Sequence, residues 1–151
     1  MNIKIRGAEL ADIPAVKELE SKSQLSGWPA DQYLRAITEP SYLLLVAEDA
    51  SIIRAFILAR VVYETGFESI EIMNIAVTPE MRRKQLGTRM INELINLTGF
   101  QQGTVDLEVR SQNTIGVNFY RRIGFSEVGI RKNYYVDPID HAILMSRPIN
   151  K

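Results

Sequence analysis

The sequence predicts an α/β fold built on a mixed, mostly antiparallel β-sheet with a central parallel strand pair and helices on both faces. Two connections between strands carry this prediction. The apolar segments Tyr42–Ala47 and Ile52–Tyr63 are joined only by Glu48-Asp49-Ala50-Ser51, which is too short for anything but an antiparallel hairpin. In contrast, Ile70–Val77 and Thr104–Arg110 are separated by a complete amphipathic helix, so these two strands should be parallel through a right-handed crossover.

The first part of the chain predicts one strand and two helices. Ile3 and Ile5 alternate with charged residues, as a strand does. Asp12 is a candidate cap for a first helix that has Pro14 in its first turn and buries Ile13, Val16 and Leu19. After a break at Ser26-Gly27, we expect a second helix to start at Trp28-Pro29, to bury Tyr33, Leu34 and Ile37, and to end at Glu39-Pro40.

The second part predicts two more helices and three strands. The crossover helix carries an apolar face and ends at Gly99, whose lack of a side chain suits a left-handed cap. Asn113 should cap a short helix over Thr114–Ile123, closed by Gly124. We predict the last strands at Phe125–Ile130 and Ala142–Met145, with the residues from 131 to 141 between them.

Composition limits the classes of function. The 151 residues predict a single domain over 1–151, and 18 basic and 18 acidic side chains give no net charge to attract nucleic acid or an anionic membrane. The chain has no cysteine, which excludes disulfides, thiolate metal sites and a cysteine nucleophile, and its single histidine, His141, predicts no metal site. No apolar run reaches membrane-spanning length and the start lacks a secretory signal, so we expect a cytoplasmic protein. The sequence leaves its oligomeric state open.

The segment after the Ile70–Val77 strand is suited to an anion. A turn at Thr78-Pro79-Glu80 leads into a basic loop, Arg82–Gly87, which opens the crossover helix. The N–H groups of a helix's first turn have no partner within the helix and lie at the positive end of its dipole, so phosphate oxygens can accept from them. A solvated surface turn is the alternative interpretation.

This loop resembles the signature of the GNAT superfamily of acyl-CoA-dependent N-acyltransferases. The signature, Arg/Gln-x-x-Gly-x-Gly/Ala, follows a strand that ends in Ala-Val-x-Pro, and it wraps the pyrophosphate of acetyl-CoA. Here Gln85 replaces the first glycine, and a left-handed backbone at a non-glycine residue costs roughly 1–2 kcal/mol. The resemblance implies acetyl-CoA as co-substrate, with three groups of residues binding it: strand amides for the pantetheine (Ile75, Ala76, Val77), the loop for the pyrophosphate (Arg83, Lys84, Gln85, Leu86, Gly87, Thr88), and the side chain of Asn113 for the pantetheine. Asn113 is also explained by helix capping alone.

Three later segments, Leu107–Asn113, Asn118–Phe125 and Arg131–Tyr135, resemble the RimI-type protein N-terminal acetyltransferases. An α-amine with a pKa of about 8 must lose a proton before it attacks a thioester, and the departing thiolate, with a pKa of about 8.5, must gain one. The resemblance implies that Glu108 is the base and Tyr120 the acid. Glu71 is a competing base. Glu108 could instead pair with Arg110 or Arg131, and Tyr120 could instead be a core aromatic against Phe125.

Acceptor choice rests on weaker signals. By resemblance, Tyr134 and Tyr135 narrow the entrance so that a protein N-terminus enters, with a ribosomal protein's N-terminal alanine as one candidate; both are equally explained as strand aromatics. Where the family has Glu-Asp-Ala, this chain has Asp140-His141-Ala142. This difference keeps open a small-molecule amine as acceptor, and Gln85 keeps open a non-catalytic domain that senses acyl-CoA or binds a partner.

Overall fold

The computed structural model describes residues 2–22, 29–64, 67–81 and 85–149, and within them it forms one seven-stranded sheet with the order β1-β2-β3-β4-β5-β7-β6. The strands are β1 (Ile3–Gly7), β2 (Tyr42–Asp49), β3 (Ile52–Glu64), β4 (Phe67–Val77), β5 (Thr104–Arg110), β6 (Ser126–Val136) and β7 (Ile139–Pro148). The helices are α1 (Ile13–Lys22), α2 (Ala30–Thr38), α3 (Leu86–Thr98) and α4 (Thr114–Arg122), with single 3-10 turns at Leu10–Asp12 and Pro79–Met81. The predicted mixed α/β fold is confirmed.

Contacts between residues group into two compact units. The first comprises Met1–Val61 and Met73–Gly99, and the second comprises Val62–Ile72 and Phe100–Lys151. The predicted acetyl-CoA residues Ile75–Val77 and Gln85–Thr88 belong to the first unit, whereas Glu108, Asn113 and Tyr120 belong to the second.

The first unit contains the predicted β2–β3 hairpin. The strands extend further than expected, and the turn is the two residues Ala50 and Ser51, with φ of 49° and 67°. Two positive φ values are typical of the tight turn that matches strand twist. The core beneath the hairpin is formed by α1, α2 and the sheet, and its buried members are Val16, Leu19, Tyr33, Ala36, Leu44, Val46, Phe56, Leu58 and Ala76.

Two expectations about α1 and α2 need correction. Asp12 lies in the 3-10 turn before α1, where its carboxylate accepts from the Glu9 N–H at 2.8 Å and from Arg6 at 2.7 Å. It therefore completes the capping box of the 3-10 turn, whose N-cap residue is Glu9. Leu34 was expected to be buried, but it is 41% exposed. The predicted break at Ser26-Gly27 and start at Trp28 lie outside the described residues.

The second unit contains the predicted parallel pair. Ser69–Ile72 of β4 pairs in parallel with Thr104–Leu107 of β5, as the long crossover requires. Beside it, β5 and β7 pair antiparallel, and so do β7 and β6.

The sequence prediction for the β6–β7 hairpin was too short. Residues 131–136 belong to β6 and β7 starts at Ile139, so only Asp137-Pro138 lies between the two strands. The register shifts between Arg131 and Tyr135, where Asn133 has a φ of 53°. Because β6 ends the strand order, it tolerates a charged run that a central strand would not, and this run concealed the strand.

The helix ends agree closely with expectation. The buried face of α3 includes Met90, Ile91 and Leu94, and the helix ends at Gly99 with a left-handed φ of 71°. The short helix α4 ends at Arg122, one residue before the predicted end, and Gly124 follows with a φ of 101°. None of the helices in the described part of the chain is long and apolar enough to cross a membrane.

Candidate active site

The predicted pantetheine-binding stretch, Ile75–Val77, is fixed at both ends. At its start, the side-chain Oδ1 of Asn74 accepts from the Ile75 N–H at 3.1 Å. Immediately after it, the Thr78 N–H donates to the main-chain oxygen of Arg54 on β3 at 2.8 Å. Both bonds restrain the backbone whose groups are expected to contact the cofactor.

The start of α3 has the backbone that the glycine signature predicts. Gln85 adopts φ 60° and ψ 19°, the left-handed region that favours glycine, and its carbonyl accepts from the Arg89 N–H at 3.0 Å. Within the described residues, no side chain caps this helix. Leu86 and Gly87 are buried and Thr88 is half-buried, while Arg83 and Lys84 lie outside the described residues.

Glu108 lies near the end of β5 with an exposed side chain and two neighbours from β6. Its Oε1 is 3.7 Å from Nε of Arg131, which is one of the pairings considered from the sequence. The negative charge of its carboxylate raises the pKa of the neighbouring Tyr134 hydroxyl. A carboxylate held between a cation and a hydroxyl at the surface remains accessible to an incoming amine.

The competing base, Glu71, shares a sheet face with Glu108. Glu71 pairs with Asp106 in the parallel ladder, and Asp106 and Glu108 point to the same side of β5 because strand side chains alternate. The charge of Glu71 also contributes to the raised pKa of Tyr134. Both candidate bases therefore lie on one face of the sheet, and Ile72 is buried on the other.

Tyr120 is buried on α4 and packs edge-on against Phe125, with ring centroids 5.6 Å apart. Burial raises the pKa of its hydroxyl, and the neighbouring Tyr135 raises this pKa further. The hydroxyl is consequently protonated at neutral pH, as an acid must be before it donates. The aromatic packing proposed as the alternative is present as well.

Tyr135 connects these groups. Burial raises its pKa first and the charge of Glu108 second, while the guanidinium of Arg110 stacks 4.1 Å from the ring centroid. Tyr134 and Tyr135 contact each other edge to face, with centroids 5.1 Å apart. The charge of Glu108 thus raises the pKa of Tyr134 and of Tyr135, and Tyr135 in turn raises the pKa of Tyr120.

Asn113 performs the predicted capping. Its Oδ1 accepts from the Gly116 N–H at 3.0 Å in the first turn of α4. A Cβ on Gly116 would lie 2.6 Å from Nδ2 of Asn113, so the glycine leaves room for the cap. The residue is exposed, and its amide nitrogen is not used by the cap.

The sequence analysis named Asp140 only as part of the segment that differs from the family, and it did not predict the hydrogen bonds of this residue. This buried carboxylate accepts from the Ser111 hydroxyl, from the Gln112 N–H at 3.2 Å and from the His141 N–H at 2.7 Å. These bonds, with the Ser111 hydroxyl contributing most, lower the pKa of Asp140. They fasten the β6–β7 hairpin to the turn between Glu108 and Asn113.

His141 has a structural explanation. It lies on β7 with an exposed side chain, where its Nδ1 accepts from the Asn133 N–H at 2.9 Å and its carbonyl accepts from the Ser111 N–H at 2.9 Å. The unusual Asp140-His141 pair therefore organises the hairpin and the β5–α4 turn together. The one signal of this pair in the sequence was that it replaces the Glu-Asp of the family.

Comparison with known proteins matches residues 12–125 to the model of the Acetyltransferase (GNAT) family. The chain belongs to this family. It is 31% identical over 149 residues to the [Ribosomal protein bS18]-alanine N-acetyltransferase of Escherichia coli (strain K12), covering 97% of each chain. It has the same identity, over 149 residues, to a putative enzyme of that name from Bacillus subtilis (strain 168), covering 97% of this chain and 96% of the relative.

Solved structures agree. The crystal structure of the ribosomal-protein-S18-alanine N-acetyltransferase from Escherichia coli superposes with a TM-score of 0.83 at 29% identity, covering 99% of this chain and 96% of that one. Ard1 from Thermoplasma volcanium superposes with a TM-score of 0.85 at 25% identity over the whole of both chains. The protein is accordingly a GNAT N-acetyltransferase by family and by fold.

Proposed function

We propose that this protein transfers the acetyl group of acetyl-CoA to the α-amine of a protein N-terminus, with the N-terminal alanine of a ribosomal protein as the first acceptor to test. The observation that carries the proposal is the match to alanine N-acetyltransferases over nearly the whole chain. The contact of Glu108 with Arg131 and of Tyr134 with Tyr135 supports the location proposed for the chemistry. The acceptor follows from the relatives, which are named for alanine acetylation of a ribosomal protein and match over nearly their full length.

The cofactor residues in this proposal supply mainly backbone groups. The restrained stretch Ile75–Val77 takes the pantetheine through main-chain groups other than the Ile75 N–H, which already donates to Asn74. The loop of Arg83, Lys84, Gln85, Leu86, Gly87 and Thr88 takes the pyrophosphate. The left-handed Gln85 and the start of α3 support this assignment, because an anion can accept from first-turn N–H groups that no side chain occupies within the described residues. The amide nitrogen of Asn113 adds a further contact to the pantetheine.

The proposed reaction is a direct transfer. Glu108 accepts a proton from the α-ammonium, directly or through a water, and the neutral amine attacks the thioester carbonyl carbon. The carbon–sulfur bond breaks, and Tyr120 gives its proton to the departing thiolate. The nitrogen of the adduct loses its surplus proton, which returns through water to the Tyr120 oxygen, so the net proton released is the one on Glu108. The new amide stays on the acceptor, and CoA leaves as the thiol. Tyr134 and Tyr135 line the approach of the acceptor, and Glu71 is the alternative base.

The direct test uses mass spectrometry on a peptide with a free N-terminal alanine and one internal lysine, incubated with enzyme and acetyl-CoA. The proposal expects acetyl on the α-amine and none on the lysine. Two conservative variants, Glu127→Gln and Tyr63→Phe, serve as matched controls for Glu108→Gln and Tyr120→Phe, because they remove similar groups at exposed positions.

A small-molecule amine is the second candidate acceptor, favoured by Asp140-His141-Ala142 in place of the family's Glu-Asp-Ala. Acetylation of a polyamine or free amino acid, with an untouched peptide in the same tube, would support it. No transfer to any amine, in a sample that binds acetyl-CoA, would instead favour a non-catalytic domain.

A further inference from the structure

A polar cluster lies inside the apolar core of the first unit. It consists of Glu20 on α1, Tyr33 on α2 and Asn74 on β4, which are 2%, 0% and 8% exposed, with Lys17 at its edge. A buried carboxylate is unfavourable unless hydrogen bonds and an opposite charge compensate for lost water. The cluster therefore needs an explanation beyond packing.

Hydrogen bonds fix the orientation of the Asn74 amide. Its Nδ2 donates to Oε2 of Glu20 at 3.3 Å and to the hydroxyl oxygen of Tyr33 at 3.1 Å. The Tyr33 hydroxyl donates to the same carboxylate, and Nζ of Lys17 lies 2.6 Å from its Oε1. The two acceptors lie side by side, so one N–H of the amide is shared between them, and the reversed amide would place its oxygen against a carboxylate.

The fixed amide has one consequence for the main chain. Its Oδ1 is left facing the next peptide group, where it accepts from the Ile75 N–H at 3.1 Å. This bond sets the plane of the peptide group between Asn74 and Ile75. The stretch that begins there, Ile75–Val77, is the proposed pantetheine-binding stretch.

We propose that Asn74 is a positioning residue for acetyl-CoA, oriented by Glu20 and Tyr33 so that its side chain holds the backbone of Ile75 in the conformation that receives the pantetheine. The inference rests on the proposed function, because it assumes that this stretch binds the cofactor. It adds that two helices of the first unit set cofactor affinity through three buried side chains. Neither of these helices carries a residue assigned to cofactor binding.

The test measures the acetyl-CoA Kd by calorimetry and the KM of each substrate for Asn74→Ala. The expected result is a rise of roughly tenfold in the Kd and KM for acetyl-CoA, the size of one lost hydrogen bond, with the peptide KM unchanged. Amide exchange at Ile75, followed by NMR without cofactor, should also become faster. The matched control is Asp12→Asn, which weakens the contact with Arg6 in the same unit but does not touch β4.

A second variant protects the test against misfolding. Tyr33→Phe leaves Asn74 in place and removes one of the groups that orient it, so the acetyl-CoA Kd should rise by a smaller factor. Unchanged acetyl-CoA affinity in both variants, with a loss of Tm like that of Asp12→Asn, would show that the cluster only stabilises the core. If the unmodified protein binds no acetyl-CoA, the proposed function fails and this proposal with it; loss confined to the variants supports both.

Discussion

The region assigned to cofactor binding and the region assigned to proton transfer differ in the groups that they expose: main-chain groups in the first, side chains in the second. The end of β4 and the start of α3 present main-chain groups, held by Asn74, by Arg54 and by the left-handed Gln85. The β5–α4–hairpin region presents ionisable side chains, above all Glu108 and Tyr120. A backbone site tolerates a change of side chain that preserves the conformation, as Gln85 does in a glycine position. A site that acts through its side chains does not tolerate such a substitution.

The largest expected effects follow from this contrast. Glu108→Gln and Tyr120→Phe should each lower kcat by roughly 10²–10⁴-fold, because each removes a proton-transfer group and little else. Steady-state kinetics with the alanine peptide would measure the loss of kcat. The acetyl-CoA affinity of both variants should stay near that of the unmodified protein.

The same measurement on Glu71→Gln separates the two bases. Full activity in Glu108→Gln together with a large loss in Glu71→Gln would move the base to β4. If neither change lowers kcat, the assignment of base chemistry to this face of the sheet is wrong.

Asp140 tests whether the side-chain region depends on its hairpin. Asp140→Asn should lower Tm by a few degrees at pH 7, because it weakens the charge-assisted bonds with Ser111, Gln112 and His141. Circular dichroism melts of both proteins would measure the difference. An unchanged Tm with lowered kcat would instead assign Asp140 a role in the chemistry.

The pH dependence of that difference has a definite sign. The pKa of Asp140 is lowered in the folded protein, so its contribution is complete above the ordinary aspartate pKa of about 3.9 and is lost as the pH falls through the folded pKa. The gap in Tm between the unmodified protein and the Asp140→Asn variant should therefore be constant from pH 7 to about pH 5.5 and shrink below about pH 4. A gap that widens in acid would contradict this explanation.

Asn113 is assigned two roles, as the cap of α4 and as a contact for the pantetheine, and two substitutions separate them. Asn113→Ala should cost about 1 kcal/mol of unfolding free energy through the lost cap and should also weaken acetyl-CoA binding. Asn113→Asp keeps the capping oxygen but removes the amide donor, so it should keep Tm and lose affinity. Denaturant unfolding and calorimetry on the pair measure both effects. If both variants bind acetyl-CoA as tightly as the unmodified protein does, then Asn113 serves only as a helix cap.

The contrast also explains what the sequence could reveal. Local signals were sufficient for the apolar strands, for the left-handed end of α3 at Gly99 and for the Asn113 cap, since each depends on neighbouring residues. The charged part of β6 was missed because an edge strand lacks the apolar pattern of a buried one.

The roles of Asn74 and Asp140 were not predicted from the sequence, for a different reason. Asn74 bonds to Glu20, 54 residues away, and Asp140 bonds to Ser111, 29 residues away. An asparagine within the apolar β4 and an aspartate near a turn have ordinary local explanations. Only the fold brings their partners to them, so no pattern along the chain indicates their roles.

The smallest expected effect is at Gln85, where the backbone site departs from its family. Gln85→Gly removes the cost of a left-handed non-glycine residue, so it should raise the unfolding free energy by up to about 1 kcal/mol after the extra chain entropy of glycine is counted. Acetyl-CoA affinity should hold or rise by less than tenfold, because the amide at this position is unchanged. Ser51→Gly is the matched control: Ser51 is also left-handed, with φ 67°, but it lies in the β2–β3 turn. Both changes should stabilise the protein, and neither should lower acetyl-CoA affinity. A loss of acetyl-CoA affinity in Gln85→Gly would mean that the glutamine side chain itself binds the cofactor, and the region could no longer be described as a backbone site.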